Sequence, residues 1–504
     1  LQWERPLLVK ETLGEFPLTT RWFDRDLNEV TAPAKPGRYA YYVEGTTADG
    51  MKVRRGGTMF CKPSLWEPWR ERPRADLAPL AAAFINREAA AQRRDAISEF
   101  AGRMIMESIK MQGDGAVLMS YLYEMTPTEG SLSRADTPRI RDCDFHVGVK
   151  RRLLGIESKW PVLQPPQKIA NPAPVLRDGT PDEAGVKPGT AAALRDICNE
   201  WYDASGEPFV LLVARHGVIV IHEAFGKDAD GPLSLDAALP VASITKLLTG
   251  LLFAQFFHQG LIEIDDPVGE YLPDFPTAGD KAITLRHCFT HTSGLEGHQE
   301  WGGLHRPWME NRISNSLAHL QPGKVHLYNG MGYDLAGRVM EMVAGKSVFR
   351  LMREQMFDPL GMTESFNDED LGFGAHVTAK DLAIFAQLLL NKGAYGDLRF
   401  FSPDVFGAMM PRPLDEFYPG LDVEWGIGLT WMRQAHPDAG RQNVPTDRTV
   451  LGQNIIGHGA ATAAILRADL DHDLVIAQSR RTAGPRYNEF LTKLMMTIEE
   501  NLAE

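Results

Sequence analysis

The sequence predicts a mixed α/β chain of the α+β kind behind an accessory amino-terminal region, and three observations carry that prediction. Two apolar runs, Phe209 to Ala214 and Val218 to Ala224, flank His216-Gly217, which is a hairpin signal. A long apolar stretch from Ser243 to about Gln259 reads as a helix that Gly260 stops. Helical segments recur at Tyr333 to Ala344 and Ala379 to Asn391, and a last strand pair brackets Asp469-Leu470-Asp471-His472-Asp473.

At 504 residues the chain is too long for one ordinary compact domain. Its 44% apolar and 24% charged residues are the balance of a soluble globular protein. A net charge of −13 excludes a general nucleic-acid binder, which needs a basic surface to displace counterions from phosphates. The longest helix-like apolar stretch, Leu247 to Phe257, falls short of the roughly 18 residues that cross a bilayer, so no membrane span is expected. Because position 1 is leucine, a processed or trimmed product is expected, either exported with its signal removed or cytoplasmic. Cys61, Cys143, Cys198 and Cys288 are scattered without ligand spacing and read as buried thiols.

Two proline-rich stretches divide the chain, Pro63 to Pro73 and the run from Pro161 through Pro174. Strand-like segments Arg38 to Glu44 and Lys52 to Cys61, separated by Ala48-Asp49-Gly50, predict a small β module over 1–72. A helical and mixed accessory region over 73–160 follows, with a helix at Leu77 to Met111 and a strand at Ala116 to Tyr123. A linker is expected at 161–174 and the main domain at 175–504. Every chemical motif lies in the last of these, so a chain beginning near Ala173 is expected to keep the chemistry. The Asp/His cluster at 469–473, set between apolar runs, reads as a solvated turn, and no metal or other cofactor is expected.

The informative hexapeptide is Val241-Ala242-Ser243-Ile244-Thr245-Lys246, immediately before the apolar helix. A serine in the first helical turn feels the positive end of the helix dipole, and a lysine three residues on lies over the same face. An amine so placed can take or relay the serine proton. Taken alone, the hexapeptide equally describes an N-cap serine with a solvent-facing lysine.

Further segments follow in order: Leu285-Arg286-His287-Cys288-Phe289-Thr290-His291-Thr292-Ser293-Gly294-Leu295, then Pro322-Gly323, then Tyr328-Asn329-Gly330-Met331-Gly332-Tyr333-Asp334-Leu335-Ala336-Gly337. Thr378-Ala379-Lys380-Asp381-Leu382-Ala383, Leu388 to Gly393, and Gly457-His458-Gly459-Ala460-Ala461-Thr462 complete the set. Together they resemble class C β-lactamases and their penicillin-binding-protein-like relatives, a serine hydrolase family that includes esterases and D-amino-acid amidases or peptidases. The resemblance runs from about Gly179 to the carboxyl end. It implies an antiparallel sheet flanked by helices plus a helical subdomain, with the site in the cleft between them.

Carried over residue by residue, the resemblance makes Ser243 the nucleophile, Lys246 its partner and Tyr328 the general base that later protonates the leaving group. Whether lysine or tyrosine takes the first proton stays open. The backbone N–H groups of Ser243 and Ala461 would form the oxyanion hole, and His458, Gly459, Ala460 and Asn329 would contact substrate. Trp301, Trp308 and Trp425 read as core or loop packing in preference to pocket lining. Two departures bear on substrate: Gly330 stands where the family carries asparagine, with Asn329 beside it, and His458-Gly459-Ala460 replaces Lys-Thr-Gly, removing the fixed cation that draws a β-lactam carboxylate. The expectation is an ester- or small-amide-cleaving hydrolase. The alternatives are a D,D-peptidase or β-lactamase-type enzyme, an acyltransferase, and a catalytically weak ligand-binding protein.

Overall fold

The computed structural model describes residues 18–31, 37–48, 50, 52–61, 138–228, 231–295, 304, 308–367, 369–441 and 444–503. The expected helix at Leu77 to Met111, the strand at Ala116 to Tyr123 and the stretch Pro63 to Pro73 lie outside the described residues, as does Trp301.

The amino-terminal sheet comprises β1 (Leu18–Phe23), β2 (Glu29–Val30), β3 (Gly37–Thr46) and β4 (Lys52–Cys61), in the order β2-β1-β3-β4. Helix α1 (Pro138–Leu154) and strand β5 (Gln167–Ala173) lead to α2 (Thr190–Ser205). The hairpin β6 (Phe209–Arg215) and β7 (Val218–Phe225) turns at His216-Gly217, both left-handed. After α3 (Ile244–His258) come α4 (Met309–Ser316), α5 (Met331–Ala344) and α6 (Ala379–Leu390). Strands β8 (Ala394–Arg399), β9 (Thr430–Trp431), β10 (Ile455–Gly457), β11 (Ile465–Asp469) and β12 (Leu474–Arg480) precede the last helix, α7 (Tyr487–Asn501).

The central sheet has six strands in the order β9-β10-β11-β12-β6-β7, every pair antiparallel. Strand alternation sorts its side chains onto two faces. Leu211 and Val213 of β6 join Leu474 and Ile476 of β12 against Trp201 of α2 and Leu494 of α7. Leu212, Ala214, Val475 and Ala477 face the other way, into the core shared with α3 and α6. Both faces are thus covered, which is why β6 reads as an unbroken apolar run rather than an alternating one. Every residue of α3 from Ile244 to Phe256 is buried, as suits a helix apolar all round. Cys143, Cys198 and Cys288 are buried thiols, and no helix among the described residues is long and apolar enough to cross a membrane.

The accessory region is built into the rest of the molecule more closely than its sequence suggests. Residues 161–174, expected as a linker, contain β5, which pairs antiparallel with β8 at Leu398↔Lys168 and Arg399↔Gln167. Pro172 is tolerated there because, among the described residues, β5 has β8 as its one strand neighbour. Ile140, Cys143 and Val147 of α1 sit in the same core as α3 and α5. Beneath them Lys150 of α1 is ion-paired with Glu310 of α4, and Arg338 of α5 reaches Glu310 at 3.1 Å and Glu341 at 2.6 Å. The amino-terminal sheet closes over this network: Tyr42 hydroxyl and His146 Nδ1 lie 2.6 Å apart. Asn311 and Asn315 of α4 donate to the Lys52 carbonyl at 3.1 and 2.8 Å. Trp308 packs with Tyr42 and Phe23 in this interface.

Candidate active site

The site forms where the amino end of α3 meets the Tyr328 turn, the 370–375 loop and the end of β10. Ser243 immediately precedes α3 with helical backbone angles, and its side chain caps nothing, so Oγ is available. It lies 3.3 Å from Lys246 Nζ. Ala242, one residue earlier, is held at φ 43°, a left-handed conformation that costs a residue with a Cβ about 1 to 3 kcal/mol. The neighbourhood holds it there: the Ala242 carbonyl accepts from the Thr245 hydroxyl at 2.6 Å, and that hydroxyl accepts from the Ala375 N–H at 3.0 Å.

Lys246 is buried and touches no carboxylate directly. Nζ donates to the Gly372 carbonyl at 2.7 Å and lies 4.6 Å from the centre of the Tyr328 ring and 5.7 Å from that of Tyr333. Burial pushes the amine down to about 8, against the opposing charges of Asp370 and Asp334. Burial pushes the Tyr328 phenol the other way, above its ordinary value, with the Ser243 hydroxyl bond opposing. Tyr328 is nonetheless 48% exposed, so its ring lines a surface that a ligand can reach.

His458 follows β10 and is almost fully buried, its Nδ1 lying 2.7 Å from the Gly459 carbonyl. Burial pulls the imidazole down to about 4, so it is neutral at any working pH. Its ring centre is 6.4 Å from that of Tyr328. Gly459 and Ala461 are exposed and Ala460 is half-buried. Among the described residues no hydrogen bond engages the backbone N–H of Ser243 or of Ala461.

Asn329 stands apart from the other residues identified by sequence. Its Nδ2 donates to the Leu327 carbonyl at 2.6 Å and its Oδ1 accepts from the Gly332 N–H at 3.0 Å, so the amide caps α5 and faces its own loop. Lys246 is instead met by the 370–375 loop, which approaches so closely that a Cβ on Gly372 would lie 3.0 Å from the Gly330 Cα.

Sequence reasoning missed several members of the site. Trp425, for which packing was preferred to pocket lining, lies 5.8 Å from Tyr328, 4.9 Å from His291 and 6.1 Å from His458, ring centre to ring centre. His291 was visible inside its motif but had no assigned role; it accepts from the Asn329 N–H at 3.1 Å, and its ring lies tilted against that of Tyr328 with centres 4.4 Å apart. Asp334 lay inside the Tyr328 to Gly337 segment but had no assigned role, and Asp370 and Gly372 carry no motif signal; only the fold brings the three together.

The family model described as Beta-lactamase matches residues 207–489, more than half of the chain. Over 188 residues the chain is 30% identical to the D-alanyl-D-alanine-carboxypeptidase/endopeptidase AmpH of Escherichia coli (strain K12), covering 34% of this chain and 49% of that protein. Over 235 residues it is 30% identical to the monacolin J acid methylbutanoyltransferase of Aspergillus terreus, covering 41% and 53%. The chain therefore spans about half the length of these curated relatives. A solved family VIII carboxylesterase overlays 62% of this chain and 98% of its own at 18% identity, with a TM-score of 0.48.

Proposed function

The chain belongs to the Beta-lactamase family, and on that footing we propose that it cleaves an ester or small amide through an acyl-enzyme on Ser243. The observation that carries this is the Ser243 Oγ to Lys246 Nζ contact of 3.3 Å, made by a buried amine with no carboxylate in contact. Burial makes this amine easier to free of its proton and the Tyr328 phenol harder to ionise. Lys246 therefore takes the serine proton as Oγ attacks the carbonyl. Tyr328, still carrying its own proton, delivers it to the leaving oxygen or nitrogen and is resupplied from Lys246. The N–H groups of Ser243 and Ala461 are free to hold the oxyanion of the tetrahedral intermediate. Water then attacks the acyl-enzyme by the reverse proton path.

A neutral His458 supplies no charge for a carboxylate, so uncharged substrates are favoured over β-lactams. A fluorophosphonate probe followed by mass spectrometry tests the reading. A label on Ser243, lost in Ser243→Ala, supports it, and an unlabelled folded protein sinks it. Acyl transfer is the second reading, favoured by the similarity to a methylbutanoyltransferase; adding alcohol acceptors and measuring ester against free acid distinguishes the two.

A further inference from the structure

Lys246 is oriented by main chain rather than by a side-chain amide, and that main chain is itself held by carboxylates. Asp334 Oδ1, on α5, accepts the Leu371 N–H at 3.0 Å. Asp370 Oδ1 accepts the N–H groups of both Gly372 and Phe373 at 2.7 Å. The carbonyls of the same residues point the other way, onto α3: Leu371 accepts from the Thr249 hydroxyl at 3.0 Å and Gly372 from Lys246 Nζ at 2.7 Å. Lys246 and Thr249 are three residues apart and so share one face of the helix.

We propose that Asp334 and Asp370 are positioning residues of this site, which hold the 371–373 turn so that the Gly372 carbonyl meets Lys246 and which carry between them a single negative charge facing that amine. The inference rests on the reading of Ser243 and Lys246 given above. Two buried carboxyls that hold one turn, Asp334 from α5 and Asp370 from the loop, repel each other when both are ionised, so one proton is retained by the pair. Both groups lie above the ordinary carboxylate range, chiefly through burial, and Asp370 pushes Asp334 further up. The other groups facing the amine are the rings of Tyr328 and Tyr333 and the imidazoles of His291 and His458, both held neutral by burial. The shared charge of the pair is thus what opposes the loss of the Lys246 proton.

A shared charge has a specific consequence. Asn in place of either Asp keeps an acceptor oxygen for the turn, and the surviving carboxyl, relieved of its neighbour's repulsion though not of its burial, ionises more readily and takes over the charge. Asp334→Asn and Asp370→Asn should therefore each leave the acid limb of the kcat/KM profile within about 0.3 unit of the parent, while the double substitution moves it to lower pH by about one unit. A purely structural role would lower kcat without moving the limb. Single-variant shifts that add up to the double, or a double variant whose limb stays in place, overturn the proposal. If the double variant does not fold, 13C-carboxyl NMR of the full-length parent decides, with each single variant assigning one resonance. Two carboxyls that titrate together above the ordinary range support the shared charge, and independent titrations near ordinary values overturn it. A parent that is never acylated at Ser243 would instead sink the reading of the site itself.

Discussion

Two buried lysines, Lys150 and Lys246, sit in the same helical part of the molecule with opposite surroundings. Lys150 is fully buried and bonded directly to Glu310, which also holds Arg338. Burial and the neighbouring Arg338 guanidinium drive this lysine down to about 7, the Glu310 carboxylate opposing them only in part, while Glu310 is itself held below its ordinary value. The Lys150 amine is thus engaged directly by a carboxylate. Among the described residues Lys246 has only an alcohol and a peptide carbonyl to donate to, and its nearest carboxylates act from a distance through the turn they hold. The comparison teaches that a burial-lowered lysine is not by itself a base: Lys150 is lowered at least as far, but its amine is engaged by a carboxylate, whereas the Lys246 amine faces the hydroxyl whose proton it can take.

The comparison breaks most directly by exchanging the two losses. Lys246→Ala should lower kcat/KM for a chromogenic ester by about 10²- to 10⁴-fold, the usual worth of a positioned general base, while leaving the urea midpoint almost unchanged. Tyr328→Phe should fall comparably, and the double variant little further, since residues of one proton path are non-additive. Lys150→Ala should do the reverse, costing roughly 3 to 5 kcal/mol in a urea melt by leaving Glu310 short of a buried partner, with kcat of the folded protein near that of the parent. Equal activity losses at the two lysines would erase the distinction.

A deletion sharpens the structural half. Removing everything before Ala173 takes away Lys150, the apolar residues of α1 and most of β5, so Glu310 keeps Arg338 alone and the core around α5 is laid open. Such a chain is expected to be insoluble or to melt without a cooperative transition, in contrast to the self-sufficiency that motif position alone suggests. A soluble, cooperatively folding product that is acylated at Ser243 would show that α1 is dispensable.

The chemical half is sharpened by pH. Protonated Lys246 cannot accept the serine proton, and burial places its loss of charge at about 8. Activity should therefore rise with pH, with kcat/KM falling about tenfold per unit below that point. A kcat/KM profile flat from pH 6 to 9 would remove Lys246 from the role of base.

How much of this was legible follows from how local each signal is. The β6–β7 hairpin and α3 were readable because turn chemistry and an unbroken apolar run are written in neighbouring residues. The Ser243, Lys246 and Tyr328 segments were readable as motifs. β5 was not, because a proline-bearing edge strand has no pattern of its own and is stabilised by β8, more than two hundred residues away. The docking of Asn311 and Asn315 on β4, and the meeting of Asp334 with the Leu371 N–H, are likewise long-range. Asn329 misled because its neighbours in sequence announce a substrate contact, whereas its amide is spent on the first turn of α5.

The smallest expected effect concerns His458. An ordinary histidine would gain charge as pH falls through about 6.5 and begin to attract carboxylates. Here burial holds the imidazole down to about 4, and its hydrogen bond to the Gly459 carbonyl only partly opposes that. No such attraction should therefore develop between pH 8 and pH 6, and the KM of a carboxylate-bearing ester relative to its uncharged methyl ester should stay constant over that range. His458→Lys would introduce a charged donor, with an expected gain on the order of 1 to 2 kcal/mol for the anionic substrate. The gain is kept modest because the position is 3% exposed and a buried ammonium is itself driven toward neutrality. Added salt should shrink the gain only in part, since screening acts weakly on a buried charge. A parent protein whose KM for the anionic ester drops between pH 8 and pH 6 would mean that His458 gains a proton despite its burial, and that the cleft attracts carboxylates after all.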